Sequence, residues 1–422
     1  MTWPKTPAKR IFFWFLAFAP LLIVIEASSY ILIKKTIPSR IIARLGKTNL
    51  DSYLIQRKEM PSARPKILSS SVGIREQKAI TAGLKMFHPV LGWNYPPNIV
   101  YQNIDGITYH HGPHGERITC SSYYETPIAT YGDSFTYCEN VRDECTWQTF
   151  LARKLNQNVL NFGVGGYGTD QAVLKYELQN QIKTKIVMLC ILPENINRVV
   201  NIYRPFYTYN DPLRLTKPIF IKKNNQLKLV PNPLKRLADI KKLDEKTFLE
   251  DLAKYDYWYQ LDQKLPELSF PWTASLLRWR KPVFQQIYIS LPWSLRAQSS
   301  LHYPWNLFDE DYPFSVMQHV VDLFVANAHK RGATPLIVIM PHKDFIQESM
   351  DYGFSRVARL TDYLSKAKYP FIDVVQIMAD MNLSRSKLGK LYHDHATTEG
   401  NQVLADILYS YLKTNFKQLL NF

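Results

Sequence analysis

The sequence predicts an α/β fold of three layers, with helices on both faces of a five-stranded parallel sheet. Two stretches of the chain, residues 127–199 and 313–422, alternate short apolar runs with longer amphipathic segments. The apolar runs are unbroken, as in IVMLCIL at residues 186–192, which is typical of strands that are buried on both faces. Because a helical segment separates successive strands, the strands are expected to be parallel with right-handed crossovers.

The predicted strands and helices alternate in chain order. The strands are residues 128–131, 158–164, 186–192, 335–340 and 371–375. The helices are residues 146–156, 170–182, 316–330, 354–367 and 398–416. Residues 200–312 interrupt this order with a long insertion that is rich in aromatic residues and proline. A packed lid or subdomain core is favoured for the insertion, and an aromatic platform that stacks on sugar rings is the alternative.

A mostly apolar stretch, residues 11–33, is long enough to cross a bilayer as a helix. The apolar pattern continues past the small residues at 27–29, so an uncleaved signal-anchor is favoured over a cleaved signal peptide. The expected order is a cytoplasmic tail at 1–10, a single transmembrane helix at 11–33, a juxtamembrane linker at 34–85, a β-rich lead-in at 86–126, and the α/β domain on the far side of the membrane.

The composition limits the classes of partner and cofactor. The net charge of +16 would suit nucleic acid, an anionic membrane surface or an acidic polymer. No dense run of Lys and Arg is combined with a nucleic-acid fold signature, so no nucleic-acid partner is expected. The four cysteines include no CxxC pair, although two of Cys120, Cys138 and Cys145 could pair in an oxidising compartment.

The histidine cluster HHGPH, at residues 110–114, could bind a metal ion. No cysteine or carboxylate pattern accompanies it, so a solvated loop is favoured. We therefore expect neither a metal ion nor an organic cofactor.

Three polar motifs follow predicted strands at the points where the strands end. YGDSFT places Ser134 after the first strand, NFGVGGYGTDQ follows the second, and PENIN follows the third. The carboxyl ends of parallel strands carry the active groups of open α/β sheets, so these motifs are expected to meet. A serine hydroxyl is a weak nucleophile that needs a base, and His395 before the closing helix is the candidate. The N–H groups of Ser134 and Gly166 and the side-chain amide of Asn195 would stabilise an oxyanion.

These motifs resemble those of the SGNH (GDSL-like) hydrolase family, over residues 127–411 without the insertion. The resemblance rests on four blocks, which are Gly132-Asp133-Ser134, Gly166, Asn195 and His395. It implies a flavodoxin-like sheet, Ser134 as nucleophile, Gly166 and Asn195 as oxyanion donors, and His395 as general base. GDSFTYCENVRDECTW, VLNFGVGGYGTDQAVL and PENINRVVN further resemble a bacterial subgroup with an N-terminal membrane helix. Such proteins are often encountered in cell-envelope polysaccharide systems, where relatives remove or transfer O-acetyl groups.

Two of these assignments have alternatives within the sequence. Asn195 could instead cap the helix that follows it. His393 could replace His395 as the base, although the spacing to Gly400 favours His395.

The sequence departs from the family pattern next to the histidine. The family usually places an aspartate three residues before the histidine, and here that position is Tyr392. Asp394 is the other candidate, but neighbours in an extended segment point to opposite sides, so it is poorly placed to orient the His395 ring. A dyad, or a carbonyl that orients the ring, is the alternative.

The sequence therefore predicts a serine esterase that acts through an acyl-enzyme on an O-acylated, chiefly O-acetylated, substrate of the cell envelope. The expected partners are an acylated carbohydrate or other ester and, through residues 11–33, the membrane. The expected location is the cell inner membrane, with the catalytic domain in the periplasm. The alternatives are an O-acetyltransferase of an envelope polysaccharide, a lipid esterase, and a non-catalytic scaffold or polysaccharide-binding protein. The sequence makes no prediction of oligomeric state.

Overall fold

The fold was obtained as a computed structural model. It describes residues 6–37, 50, 54, 86–103, 105–208, 215–223, 226–265, 268–289 and 306–420. For residues 7–17, 282, 285, 286, 288 and 289 the description covers the backbone only. The predicted linker at 34–85 therefore lies almost wholly outside the described residues.

A parallel sheet of five strands forms the centre of the fold. The strands of the chain are β1 (Phe87–His88), β2 (Gly92–Trp93), β3 (Val100–Gln102), β4 (Thr108–His110), β5 (Ile128–Tyr131), β6 (Val159–Asn161), β7 (Ile186–Ile191), β8 (Ile219–Lys223), β9 (Gln226–Val230), β10 (Thr334–Ile339) and β11 (Phe371–Asp373). The central sheet has the order β11-β10-β7-β5-β6, and every neighbouring pair is parallel. The predicted five-stranded parallel sheet is confirmed. β7 is buried along its whole length, as its unbroken apolar sequence predicts.

The order of the strands creates a crevice beside β5. The chain first adds β6 on one side of β5 and then crosses back to place β7 on the other side. At such a switch point the loops after the two neighbouring strands diverge, and ligands of open α/β sheets bind in the space between them. Tyr131 at the end of β5 pairs with Leu189 of β7, so both strands end at this crevice.

Helices cover both faces of the sheet. They are α1 (Pro7–Thr36), α2 (Ser134–Tyr137), α3 (Trp147–Leu155), α4 (Thr169–Leu178), α5 (Ile196–Val199), α6 (Arg204–Tyr207), α7 (Lys246–Ala253), α8 (Tyr257–Lys264), α9 (Trp272–Arg278), α10 (Arg280–Ile289), α11 (Asp311–Lys330), α12 (Lys343–Tyr352), α13 (Ala358–Lys366), α14 (Val374–Asp380), α15 (Arg385–Leu391), α16 (Thr398–Asn415) and α17 (Lys417–Leu420). Short 3₁₀ turns lie at Asp143–Cys145, Pro193–Asn195 and Leu237–Asp244. α3 packs on β6 and α16, whereas α4 packs on β5, β7 and α11. The crossover that contains α3 leads from β5 to β6, and the crossover that contains α4 leads back past β5 to β7. Because both connections are right-handed and run in opposite directions across the sheet, the two helices lie on opposite faces.

Helix α3 covers its face of the sheet because its large apolar residues recur at every fourth position. The hydroxyl of Thr146 accepts the N–H of Thr149 and so caps the first turn. The buried positions at this spacing are Trp147, Leu151 and Leu155. The helix ends at Asn156, whose φ of 54° lies in the left-handed region that asparagine tolerates.

The structure differs from the predicted elements near the C-terminus. β11 ends at Asp373, two residues before the predicted end, because the Asp373 side chain accepts the N–H of Gln376 and begins α14. The prediction also lacked α12 and α15. Both begin at a side-chain cap, provided by His342 and Ser384 respectively.

The lead-in and the insertion are built from short elements. Residues 86–126 contain two antiparallel pairs, β1 with β2 and β3 with β4. The interval 200–312 contains the β8–β9 hairpin and α6 to α10, and its Trp258 is fully buried. The Trp258 indole N–H donates to the carbonyl of Asn197, so this part of the chain packs against the segment that follows β7.

Helix α1 contains the stretch that was predicted to span a membrane. Among the residues that the structure describes, no helix is long and apolar enough to do so. The predicted transmembrane helix at 11–33 is therefore not supported.

The second half of α1 packs against α9 and α10. The carboxylate of Glu26 accepts the N–H groups of Trp272 and Thr273, which are at the start of α9, where a helix favours negative charge. Ile33 is buried with Trp279 and Val283. The acidic residue that interrupts the apolar stretch thus has a partner within the chain.

We expect Leu151→Ala to destabilise the fold by about 2–5 kcal/mol, because it removes a fully buried side chain between α3 and the sheet. Urea unfolding followed by circular dichroism measures the change. Arg153→Ala, on the exposed side of the same helix, is the control and should cost about 0.5 kcal/mol or less. Equal effects of the two variants would contradict the assigned burial of α3.

Candidate active site

The turn after β5 holds Ser134 at the crevice. Asp133 caps α2 with its side chain, which accepts the N–H of Phe135 at 2.9 Å. A Cβ at Gly132 would lie 2.1 Å from the Thr136 hydroxyl and 2.8 Å from a backbone carbonyl, so only glycine fits there. In the motif Gly-Asp-Ser, the glycine thus meets a steric requirement and the aspartate caps the helix. Ser134, the last residue of the motif, is 6% exposed.

The structure brings Ser134 and His395 together across 261 residues of sequence. His395 Nε2 lies 2.9 Å from Ser134 Oγ, which is the distance of a hydrogen bond. His395 lies in the short loop between α15 and α16, whose first turn is capped by Thr397. Its neighbour His393 is exposed, and its N–H donates to the His395 carbonyl.

Burial lowers the pKa of the His395 ring below its ordinary value of 6.5. The charge of Asp133 raises this pKa, that of Arg198 lowers it, and Asp394 raises it by a smaller amount. The ring is therefore neutral at neutral pH, and a neutral Nε2 can accept a proton from a hydroxyl group.

Asp394 does not orient the His395 ring. Its side chain is exposed, and Nδ1 of the ring lies 3.3 Å from the side-chain amide of Asn140 instead. When Nε2 accepts a proton from serine, Nδ1 carries a proton that needs an acceptor. The Asn140 side chain supplies one when its amide is turned by half a rotation, so that its oxygen faces Nδ1.

The turn that follows α2 carries two polar residues to His395. Cys138 and Asn140 both have left-handed φ values, 64° and 72°. This geometry turns the chain sharply, so that the side chains of Glu139 and Asn140 both reach the ring. Sequence reasoning missed both residues, because nothing in the motif CEN signals the conformation of the turn.

Arg117 of the lead-in holds this turn in place. Its side chain is fully buried and donates to backbone carbonyls within the turn and to one carboxylate. These partners are Tyr137, Cys138, Val141 and Asp143. The backbone N–H of Arg117 also donates to the carbonyl of Asn161 at the end of β6. Arg117 thereby joins the lead-in both to the turn after α2 and to the start of the second motif.

The second motif presents Gly166 in a turn that a tryptophan supports. Gly166 has a φ of 75°, which favours glycine. The Trp93 indole N–H donates to the carbonyl of Gly165 at 2.9 Å, and Tyr167 donates its hydroxyl hydrogen to the Trp93 carbonyl. Because a trans peptide is planar, holding the Gly165 carbonyl also fixes the direction of the Gly166 N–H, which points the opposite way.

The third motif places a buried amide beside the nucleophile turn. Asn195 is 1% exposed, and within the described chain neither side-chain atom has a partner with hydrogen-bond geometry. Its amide lies close enough to Asp133 to lower the pKa of that buried carboxyl, which desolvation raises overall. The side chain does not cap α5, so its N–H groups can donate to a substrate oxygen.

Arg198 connects the three motifs. Its guanidinium lies 3.6 Å from the carboxylate of Asp133, pairs with Glu194, and donates to the carbonyl of Tyr167 at 2.9 Å. One residue from each motif is therefore held by a single, largely buried cation.

The cysteines and the histidine cluster have structural contacts. Cys120, Cys138, Cys145 and Cys190 are free thiols. His110 and His114 are exposed, as the predicted solvated loop requires, whereas His111 is buried against Tyr95 and departs from that prediction. Within the described ranges, no group of three or more His, Cys, Asp and Glu side chains is arranged to hold a metal ion.

The chain is similar to several solved structures. No protein-family model and no curated protein matches it. The solved structures include a protein described as lipolytic and of the G-D-S-L family from Desulfitobacterium hafniense DCB-2, with 10% identity and a TM-score of 0.34 over 68% of this chain and 99% of that one. They also include the psychrotrophic esterase EstA from Pseudoalteromonas sp. and a member of the lipolytic G-D-S-L family from Veillonella parvula DSM 2008.

These last two alignments have 10% identity and TM-scores of 0.32. They cover 68% and 69% of this chain, and 96% and 98% of the other chains.

We expect Arg117→Met to destabilise the protein by about 3–5 kcal/mol, because it leaves the Asp143 carboxylate and several carbonyls without their buried donor. The free energy of unfolding in urea measures this loss. Arg236→Met removes an arginine whose side chain is 80% exposed and should change the stability by about 0.5 kcal/mol or less. A stability of Arg117→Met close to that of Arg236→Met would show that the turn does not depend on Arg117.

Proposed function

We propose that this chain is a serine hydrolase of the SGNH type that forms an acyl-enzyme on Ser134. The observation that carries the proposal is the 2.9 Å contact between Ser134 Oγ and His395 Nε2 at the switch point of the sheet. This contact joins a nucleophile to a neutral base, which is the arrangement that activates a serine.

The proposed reaction has two halves. His395 Nε2 accepts the hydroxyl proton while Ser134 Oγ attacks the ester carbonyl, and the oxyanion receives hydrogen bonds from Ser134 N–H, Gly166 N–H and the Asn195 amide. His395 then gives the proton to the leaving alcohol. In the second half, the oxygen of water or of a sugar hydroxyl bonds to the acyl carbon while His395 Nε2 takes its proton. His395 then gives that proton to Ser134 Oγ as the bond between Oγ and the acyl carbon breaks, which restores the serine hydroxyl.

Asn140 is the proposed orienting group for the imidazole. Its side-chain amide faces Nδ1 at 3.3 Å, where an aspartate would stand in the family that the sequence resembles. An amide oxygen accepts the Nδ1 proton but carries no charge, so it stabilises the imidazolium less than a carboxylate would. This supports a working base of modest strength in place of the alternative of a non-catalytic scaffold.

The substrate class in this proposal is an O-acylated, chiefly O-acetylated, carbohydrate of the cell envelope. It is supported by the resemblance of the three motifs to the envelope subgroup. Hydrolysis and acyl transfer share every step above and differ in whether water or a sugar hydroxyl resolves the acyl-enzyme. Location at the periplasmic side of the inner membrane stays a prediction from residues 11–33.

A fluorophosphonate probe tests the proposal, because it reacts with an activated serine. We expect the folded protein to be labelled on Ser134, which peptide mass spectrometry identifies. Ser134→Ala should abolish the labelling, and Ser410→Ala, on the exposed face of α16, should leave it unchanged. Absence of labelling in wild-type protein that is folded by circular dichroism would favour the scaffold and contradict the proposal.

The labelling rate should depend on pH through His395. The base works only when its ring is neutral, and burial lowers the pKa of the ring below 6.5. We therefore expect a rate that is constant near pH 8 and falls to half of that value at a pH below about 6.5, as the ring becomes protonated. A rate that falls to half of its plateau value at a pH above about 6.5 would show that the pKa is raised rather than lowered.

A further inference from the structure

A carboxylate that the proposed reaction does not use lies beside the nucleophile and the base. Glu139 Oε2 is 3.5 Å from His395 Nε2, the same ring nitrogen that contacts Ser134 Oγ. The Glu139 side chain is 33% exposed, so it faces the crevice and not the interior of the domain.

Backbone contacts of the surrounding chain fix the position of the Glu139 carboxylate. The N–H of Glu139, which follows α2, donates to the carbonyl of Ser134, the first residue of that helix. A Cβ on residue 165 would lie 2.3 Å from Glu139 Oε1, so Gly165 permits the carboxylate to approach the loop of the second motif. Glu139 therefore lies between His395 and the loop that carries Gly166.

The nearby cations are held by other groups. Arg198 pairs with Asp133 and Glu194, and Arg117 pairs with Asp143. Burial raises the pKa of the Glu139 carboxyl, and the charges of these two arginines lower it again in part. Within the described residues, no salt bridge joins Glu139 to a lysine or an arginine, and a half-buried carboxylate of this kind is costly unless it gains a hydrogen-bond donor. The crevice, where a substrate would lie, is the side from which such a donor can come.

We propose that Glu139 binds the alcohol part of the ester by accepting a hydrogen bond from a free hydroxyl group next to the ester oxygen. This inference rests on the proposed function. His395 Nε2 must give its proton to the oxygen of the leaving alcohol, so that oxygen comes within hydrogen-bond distance of Nε2. A carboxylate 3.5 Å from Nε2 then reaches substituents on the adjacent carbon of the alcohol.

The chemical consequence is a preference for esters of polyols and sugars. A site that is built to bond a hydroxyl group discriminates strongly against the analogue that lacks it, because the polar group of the site is then left without its partner. Simple alkyl esters and long-chain lipid esters would place an apolar group beside Glu139. They are disfavoured because the carboxylate would then lose contact with water without gaining a hydrogen-bond donor.

Glycerol monoacetate and propyl acetate test the inference, because they share the acetyl group and the three-carbon alcohol and differ in the free hydroxyls. With the full chain, we expect kcat/KM to be at least about tenfold higher for glycerol monoacetate. Glu139→Leu should abolish this ratio, and Glu139→Gln, which keeps a neutral acceptor, should retain part of it. Glu144→Gln, at a nearby exposed acid, is the matched control and should leave the ratio unchanged.

Two results would overturn the inference. The first is an unchanged ratio in Glu139→Leu; if kcat/KM falls equally for both esters, Glu139 supports His395 and does not bind the substrate. The second is turnover of neither ester by a protein whose Ser134 is labelled by the fluorophosphonate. Absence of that labelling is a separate outcome and contradicts the proposed function itself.

Discussion

The buried guanidinium of Arg198 is the constraint on which the arrangement of the crevice depends. It contacts Asp133 after β5, the carbonyl of Tyr167 after β6, and Glu194 after β7. A buried charge that loses a partner is left with a desolvation cost of several kcal/mol, so these partners are held together. The strand order brings the three loops to one edge of the sheet, and Arg198 then sets their spacing.

The lead-in supports the same crevice from outside the sheet. Arg117 fixes the turn that carries Glu139 and Asn140, and Trp93 fixes the peptide that carries the Gly166 N–H. Neither side chain needs to touch a substrate, because each acts by limiting the directions that a loop can take. Preorganised donors cost no rearrangement during a reaction, which is why such supports matter for a site that stabilises an oxyanion.

The environment of His395 differs from that of a histidine paired with an aspartate. One ring nitrogen faces a hydroxyl group and the Glu139 carboxylate, and the other faces the uncharged amide of Asn140. Burial dominates the electrostatics, since it lowers the pKa of the ring despite the nearby Asp133 and Asp394. The ring is therefore neutral at neutral pH, and in the proposed reaction the Glu139 carboxylate lies on the side of the leaving alcohol.

The sequence by itself determined the sheet and the identity of the pair at its edge. Unbroken apolar runs such as β7 predict buried strands, and the capping of α2 by Asp133 acts within a few residues, so both can be recognised locally. Only the tertiary structure decided which side chain faces Nδ1 of His395. Asp394 is adjacent in sequence but points to solvent, whereas Asn140 is 255 residues away and arrives through a left-handed turn. Such contacts depend on the relative positions of loops that are distant in sequence, and a local pattern of polar and apolar residues does not predict those positions.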